Sequence, residues 1–215
     1  MSVHPVLERL GEIRIVPVIA LEDAALAAPL ARALAEGGLP AAEVTFRTPA
    51  AEEALRQIHQ QVPEVCLCAG TVLTTEQAQR AVEAGAQAIV SPGTNLEVVR
   101  WCQKRGVPVI PGCATPTEME ACMREGLTVV KFFPAEAAGG VRLLKAAAGP
   151  YPGLKFMPTG GITRENAAGY LALKNVLCCG GSWLAPAGLL AAGDFAAVRR
   201  LAEEAAALAG KGARL

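Results

Sequence analysis

A lysine stands inside the apolar run Val129-Val130-Lys131-Phe132-Phe133-Pro134, and a glutamate inside Ala41-Ala42-Glu43-Val44-Thr45-Phe46. A charged side chain in such a run is costly unless it escapes, finds a partner or has a use. A lysine stem can cross apolar surface and release its charge at a rim. The chemical alternative is attack on a carbonyl, which needs the neutral amine. Apolar neighbours such as Val129, Val130, Phe132 and Phe133 penalise the ammonium form, which is how Schiff-base lysines are activated. A carboxylate at Glu43, at hydrogen-bond or one-water distance from Lys131, could move protons during imine formation and carbon–carbon cleavage. Arg47 could be the other half of an ordinary surface pair with Glu43, or could offer a bidentate fork to a substrate carboxylate.

Two glycine pairs add a second chemistry. Gly160-Gly161 follows the apolar run ending at Thr159, and Gly180-Gly181-Ser182 follows the last apolar run. Either pair alone reads as a tight strand-to-helix turn. Both together suggest a phosphate cradle of backbone N–H groups and helix N-termini.

These residues need elements to hold them. Short apolar runs alternate with longer alanine-rich stretches that carry charges at helical spacing, a β-then-α pattern. Strands are expected at 13–19, 41–46, 64–69, 86–91, 107–112, 127–132, 154–159 and 175–179, eight in all. Helices are expected near 23–36, 50–61, 75–84, 95–104, 116–125, 140–148, 164–173 and 195–209, with an extra short one near 2–10. Thr115-Pro116-Thr117-Glu118 carries an N-cap, a first-turn proline and a capping-box glutamate. Gly37-Gly38, Gly85, Gly106 and Gly126 stand where helices should stop.

Strands apolar on both faces need helices on both sides of a parallel sheet. Eight β/α units in 215 residues fit a (β/α)8 TIM barrel with a short additional N-terminal helix. No linker or low-complexity stretch marks a second domain, so residues 1–215 are read as one. In such a barrel, chemistry gathers where strands end. Arg47, Thr71, Pro92, Lys131, Thr159 and Ser182 all fall at or just after strand ends.

Composition narrows the partners. Lys plus Arg and Asp plus Glu number 20 each, leaving no basic field for nucleic acid or an anionic membrane. No apolar run approaches the about 20 residues of a membrane span, and the N-terminus lacks a signal-peptide stretch. The expected partner is a small molecule and the expected location the cytoplasm. Seven cysteines lie in apolar segments without metal-site spacing, so buried reduced thiols are expected and no metal.

GLPAAEVTFR (38–47) and GLTVVKFFPAEAAGG (126–140) resemble the two active-site signatures of the 2-keto-3-deoxy-6-phosphogluconate (KDPG) and 4-hydroxy-2-oxoglutarate (KHG) aldolase family. AGTVL (69–73), SPG (91–93), IPG (110–112), PTGGI (158–162) and GGSWL (180–184) extend the resemblance over nearly the whole chain. The resemblance implies a metal-independent, cofactor-free class I aldolase, typically a homotrimer. Lys131 would form the Schiff base and Glu43 serve as acid and base. Arg47 and Thr71 would hold the pyruvate carboxylate, Pro92 and Phe133 would shape the pocket, and Thr159 would contact the substrate. Gly160, Gly161, Gly181 and Ser182 would cradle the phosphate. Two positions depart from relatives: Ala20, where some carry arginine, and Cys68, where glycine is common. Alternatives are an aldolase for the 6-phosphogalactonate epimer, a phosphosugar isomerase or epimerase, and a noncatalytic barrel that binds a phosphometabolite.

Overall fold

The computed structural model describes residues 4–212. Helices are α1 (Pro5–Ile13), α2 (Ala27–Glu36), α3 (Ala51–Gln61), α4 (Thr75–Glu83), α5 (Leu96–Lys104), α6 (Pro116–Arg124), α7 (Gly140–Ala147), α8 (Ala167–Leu171), α9 (Ala187–Ala192) and α10 (Phe195–Gly212). Strands are β1 (Ile15–Ile19), β2 (Ala41–Thr45), β3 (Cys66–Gly70), β4 (Ala88–Val90), β5 (Val109–Ile110), β6 (Gly112–Cys113), β7 (Val129–Phe132), β8 (Lys155–Pro158) and β9 (Cys179–Gly181). All pairings are parallel. Six strands form a curled sheet in the order β5-β4-β3-β2-β1-β9, and three form a second sheet, β6-β7-β8. The bridges Phe156↔Val176 and Thr159↔Gly180 connect the second sheet to the chain around β9.

Local signals account for most boundaries. Thr115 and Glu118 form the expected capping box at α6. The helix stops at Gly38, Gly85, Gly106 and Gly126 all adopt positive φ, where a side chain is penalised. The N-terminal helix lies slightly later than expected, at Pro5–Ile13 rather than 2–10, and residues 2 and 3 are outside the described chain. Its His4 side chain caps Val6 N–H, and Arg14 closes it at φ 70.

Three expectations need correction. The fifth strand is broken: Pro111 has no N–H to give a ladder, so β5 pairs with β4 while β6 pairs with β7. The eighth strand lies at 179–181 rather than 175–179: Val176 makes only an isolated bridge to Phe156 of β8, and regular pairing with β1 begins only at Cys179. The helix after Gly160-Gly161 does not follow directly. A turn intervenes through Asn166, and α8 has five residues. An unforeseen short helix, α9, precedes α10.

Alternation along the strands sorts side chains into two cores. Ala42, Val44, Leu67, Ala69, Ile89, Val130 and Phe132 pack outward against the helices. Val16, Ala41, Cys66, Cys68, Ala88, Val90, Ile110, Val129, Met157 and Cys178 pack inward on one another, and Leu10 of α1 joins them. Cys68 therefore fills inner-core volume. All seven cysteines are buried and unpaired. Among the described residues, no helix is long and apolar enough to cross a membrane.

Candidate active site

The inward positions change character toward the strand ends. On β2 they run from Ala41 to Glu43 to Thr45. On β7 they run from Val129 to Lys131 and on to Phe133. These are the same alternating rows that build the inner core, so the charges of Glu43 and Lys131 face each other directly above an apolar and sulfur-lined floor.

Lys131 Nζ donates to Glu43 Oε1 at 3.0 Å, with side chains 5% and 0% exposed. The contact falls within the hydrogen-bond or one-water distance expected from the sequence, and it sets a carboxylate beside a lysine whose strand neighbours are apolar. A buried pair of this kind can pass a proton from amine to carboxylate without changing its net charge. That transfer yields the neutral nucleophile and a neutral acid together. Glu43 Oε2 is buried and has no protein partner, so it is the oxygen available to a water or a substrate group. The Phe133 ring lies on the same side, its centroid 5.5 Å from Lys131 Nζ.

Glycines make room for these groups. A Cβ on Gly70 would fall 2.3 Å from Glu43 Oε1, and one on Gly112, the register partner of Lys131, would fall 2.1 Å from the Pro92 carbonyl oxygen. Thr159 points its buried, unpartnered Oγ1 across Gly180, where a Cβ would lie 2.3 Å away.

Arg47 is held by Thr45. Its Nε donates to Thr45 Oγ1 at 3.2 Å, and that hydroxyl donates to the Ile19 carbonyl at 2.9 Å. With Nε engaged, the terminal nitrogens remain for a bidentate carboxylate. Arg47 makes no salt bridge with Glu43; the plain surface-pair reading of those two residues does not hold. Thr71 sits at φ 57, a costly conformation for a β-branched residue. Its neighbour is pinned, with Val72 N–H on the Val90 carbonyl at 3.2 Å and Ser91 Oγ on the Val72 carbonyl at 2.7 Å.

Gly160 and Gly161 both take positive φ, 98° and 78°. Gly181 lies under the Trp183 ring, and Ser182 is exposed beside it. Strand pairing brings the turn after β8 and β9 side by side through Thr159↔Gly180. Thr45, Gly70, Gly112 and Ser91 lie in strand-end stretches quoted from the sequence, but none had a role assigned there. Alternation two residues beyond Glu43 is the signal that could have found Thr45.

The family described as KDPG and KHG aldolase matches residues 6–201. The 2-dehydro-3-deoxy-phosphogluconate aldolase of Treponema pallidum (strain Nichols) is 51% identical over 205 residues, covering 95% of this chain and 98% of its own. The chain belongs to the KDPG and KHG aldolase family. Among solved structures, KDPG aldolase from Legionella pneumophila, with pyruvate captured as a covalent carbinolamine, superposes with a TM-score of 0.89 at 39% identity, over 92% of this chain and 96% of that one. The enzyme of Zymomonas mobilis ZM4 with 3-phosphoglycerate gives 0.88 at 39% identity, over 94% and 95%. Family membership favours aldol chemistry over an isomerase, an epimerase or a noncatalytic binding barrel. Among the described residues, no group of three or more His, Cys, Asp or Glu is arranged to hold a metal.

Proposed function

We propose that this protein is a class I aldolase that cleaves 2-dehydro-3-deoxy-6-phosphogluconate to pyruvate and glyceraldehyde 3-phosphate, and 4-hydroxy-2-oxoglutarate to pyruvate and glyoxylate. The observation that carries the reading is the buried Lys131–Glu43 contact of 3.0 Å near the ends of parallel strands. Lys131 Nζ adds to the C2 carbonyl, and Glu43 moves protons through a water as the carbinolamine loses water to an iminium. The C4 hydroxyl then loses its proton, the C3–C4 bond breaks, and its electrons pass into the iminium to give an enamine. The aldehyde leaves, C3 is protonated, and hydrolysis frees pyruvate and the lysine.

In this reading Arg47 and Thr71 grip the pyruvate carboxylate, Pro92 and Phe133 wall the pocket, and Thr159 meets the substrate through its free hydroxyl. Gly160, Gly161, Gly181 and Ser182 receive the phosphate on backbone and hydroxyl donors. The two sheets form one (β/α)8 barrel in a single domain over residues 1–215, assembled as a cytoplasmic homotrimer; sedimentation tests the assembly. The decisive experiment is borohydride reduction with pyruvate, followed by peptide mapping. The adduct is expected on Lys131. No adduct, or one on Lys104, Lys145 or Lys155, would sink the mechanism.

A further inference from the structure

The Gly160-Gly161 turn is flanked by a carboxylate. Ala135 and Glu136 donate their N–H groups to the carbonyls of Thr159 and Gly160 at 2.8 and 3.1 Å, so the segment after β7 runs alongside the turn. A Cβ on Gly161 would fall 2.8 Å from both Cβ and Cγ of Glu136. One on Gly140 would fall 3.2 Å from Glu136 Oε1 and 3.1 Å from Tyr170 Oη. The stem of Glu136 thus lies against Gly161, while its carboxylate turns back toward Gly140. There the fully buried Tyr170 of α8 donates its hydroxyl to Glu136 Oε1. Among the described residues, this is the one side-chain hydrogen bond that Glu136 makes, and it forms no salt bridge. Burial, and then the facing carboxylate, push the Tyr170 phenol up, so it remains a donor across the working pH range.

A carboxylate beside a turn that receives a phosphate dianion repels it unless it is aimed elsewhere. We propose that Tyr170 acts as a positioning residue and Glu136 as a specificity-determining one: the phenol holds the Glu136 carboxylate away from the turn and so sustains the preference for phosphorylated substrates. The inference rests on the reading of Gly160-Gly161 as a phosphate site. It makes Glu136 a latent repulsive element whose sign of action depends on its tether.

Steady-state kinetics on the full chain test this, with 2-dehydro-3-deoxy-6-phosphogluconate and 4-hydroxy-2-oxoglutarate as paired substrates. Tyr170→Phe should raise KM for the phosphorylated substrate about fivefold, the size of a solvated charge pair. Its kcat and the KM for the unphosphorylated substrate should stay within about twofold, and the defect should shrink in high salt. Adding Glu136→Gln to Tyr170→Phe should restore the lost affinity, which a packing defect would not allow. Glu136→Gln alone, at an exposed side chain, should leave KM for the phosphorylated substrate unchanged or lower. Equal losses on both substrates, no recovery in the double variant, or a fivefold rise in KM from Glu136→Gln alone would each overturn the proposal. A wild-type enzyme without preference for the phosphorylated substrate overturns the phosphate reading of the turn, and the proposal with it.

Discussion

Replacing Lys131 by methionine keeps most of the stem and removes the ammonium. It leaves the Glu43 carboxylate, 0% exposed, without the donor that now stands 3.0 Å from it. Removing one partner of a buried pair costs about 3–5 kcal/mol, whereas replacing both by neutral groups of similar volume is often neutral or stabilising. At about 2–4 °C per kcal/mol for a chain of this size, Lys131→Met should lower Tm by roughly 6–20 °C. Glu43→Gln/Lys131→Met should recover at least half of that loss while remaining inactive. The assay is thermal unfolding by circular dichroism at fixed protein concentration for wild type, both single variants and the double. Activity and stability therefore part company: the double variant is as dead as the single but folds better. A Lys131→Met protein within about 2 °C of wild type would refute the reasoning. So would a double variant whose loss equals the sum of the singles, since independent sites add and coupled ones do not.

Gly70→Ala places a Cβ 2.3 Å from Glu43 Oε1 on a backbone fixed in a central strand, so the carboxylate must turn. A displacement of that order should lower kcat by about a hundredfold while far-ultraviolet circular dichroism is unchanged, and wild-type kcat would count against the placement of Glu43. At α6, the Ala114 N–H on the Glu118 carboxylate, then the Thr115 contacts, hold Glu118 below the ordinary carboxylate range. A lowered folded value stabilises above the unfolded value and loses that contribution as pH falls through the folded one. Glu118→Gln should therefore cost about 0.5–1 kcal/mol at neutral pH, and denaturant unfolding should show the gap closing below about pH 4.

The alternation of strands and helices was legible because its signals are local: a glycine stop or a capping box needs only its own few residues. The break at Pro111 was also written in the chain, as a missing N–H, but a continuous apolar run concealed it. The last strand was placed too early because Val176 to Cys179 are apolar, whereas Gly180 and Gly181 present no side chain to a pattern, although their backbones pair with Val16 and Pro17. Lys131 and Glu43 stood out as charges in apolar surroundings. Their chemistry implied hydrogen-bond or one-water separation; that the contact is direct, between partners 88 residues apart, is decided by the fold. Gly70 and Gly112 matter for the same reason. What they leave room for is a side chain or carbonyl on a neighbouring strand or loop. Tyr170 carried no motif, and Glu136, though inside the 126–140 signature, had no role assigned from the sequence; a single bond joins them across 34 residues.

Glu43 belongs to the six-stranded sheet and Lys131 to the three-stranded one. Their hydrogen bond is therefore a rivet across a seam. On one side the seam is closed at Pro111, whose carbonyl accepts Lys131 N–H at 2.9 Å, and on the other by the bridges at Val176 and Gly180. A slip of either sheet by a fraction of a strand repeat would separate amine from carboxylate without altering any residue of the site. Reactivity here gauges the alignment of two separately paired sheets. A change at Pro111 or Val176, neither of which is assigned to the site, can reach the chemistry by shearing that seam.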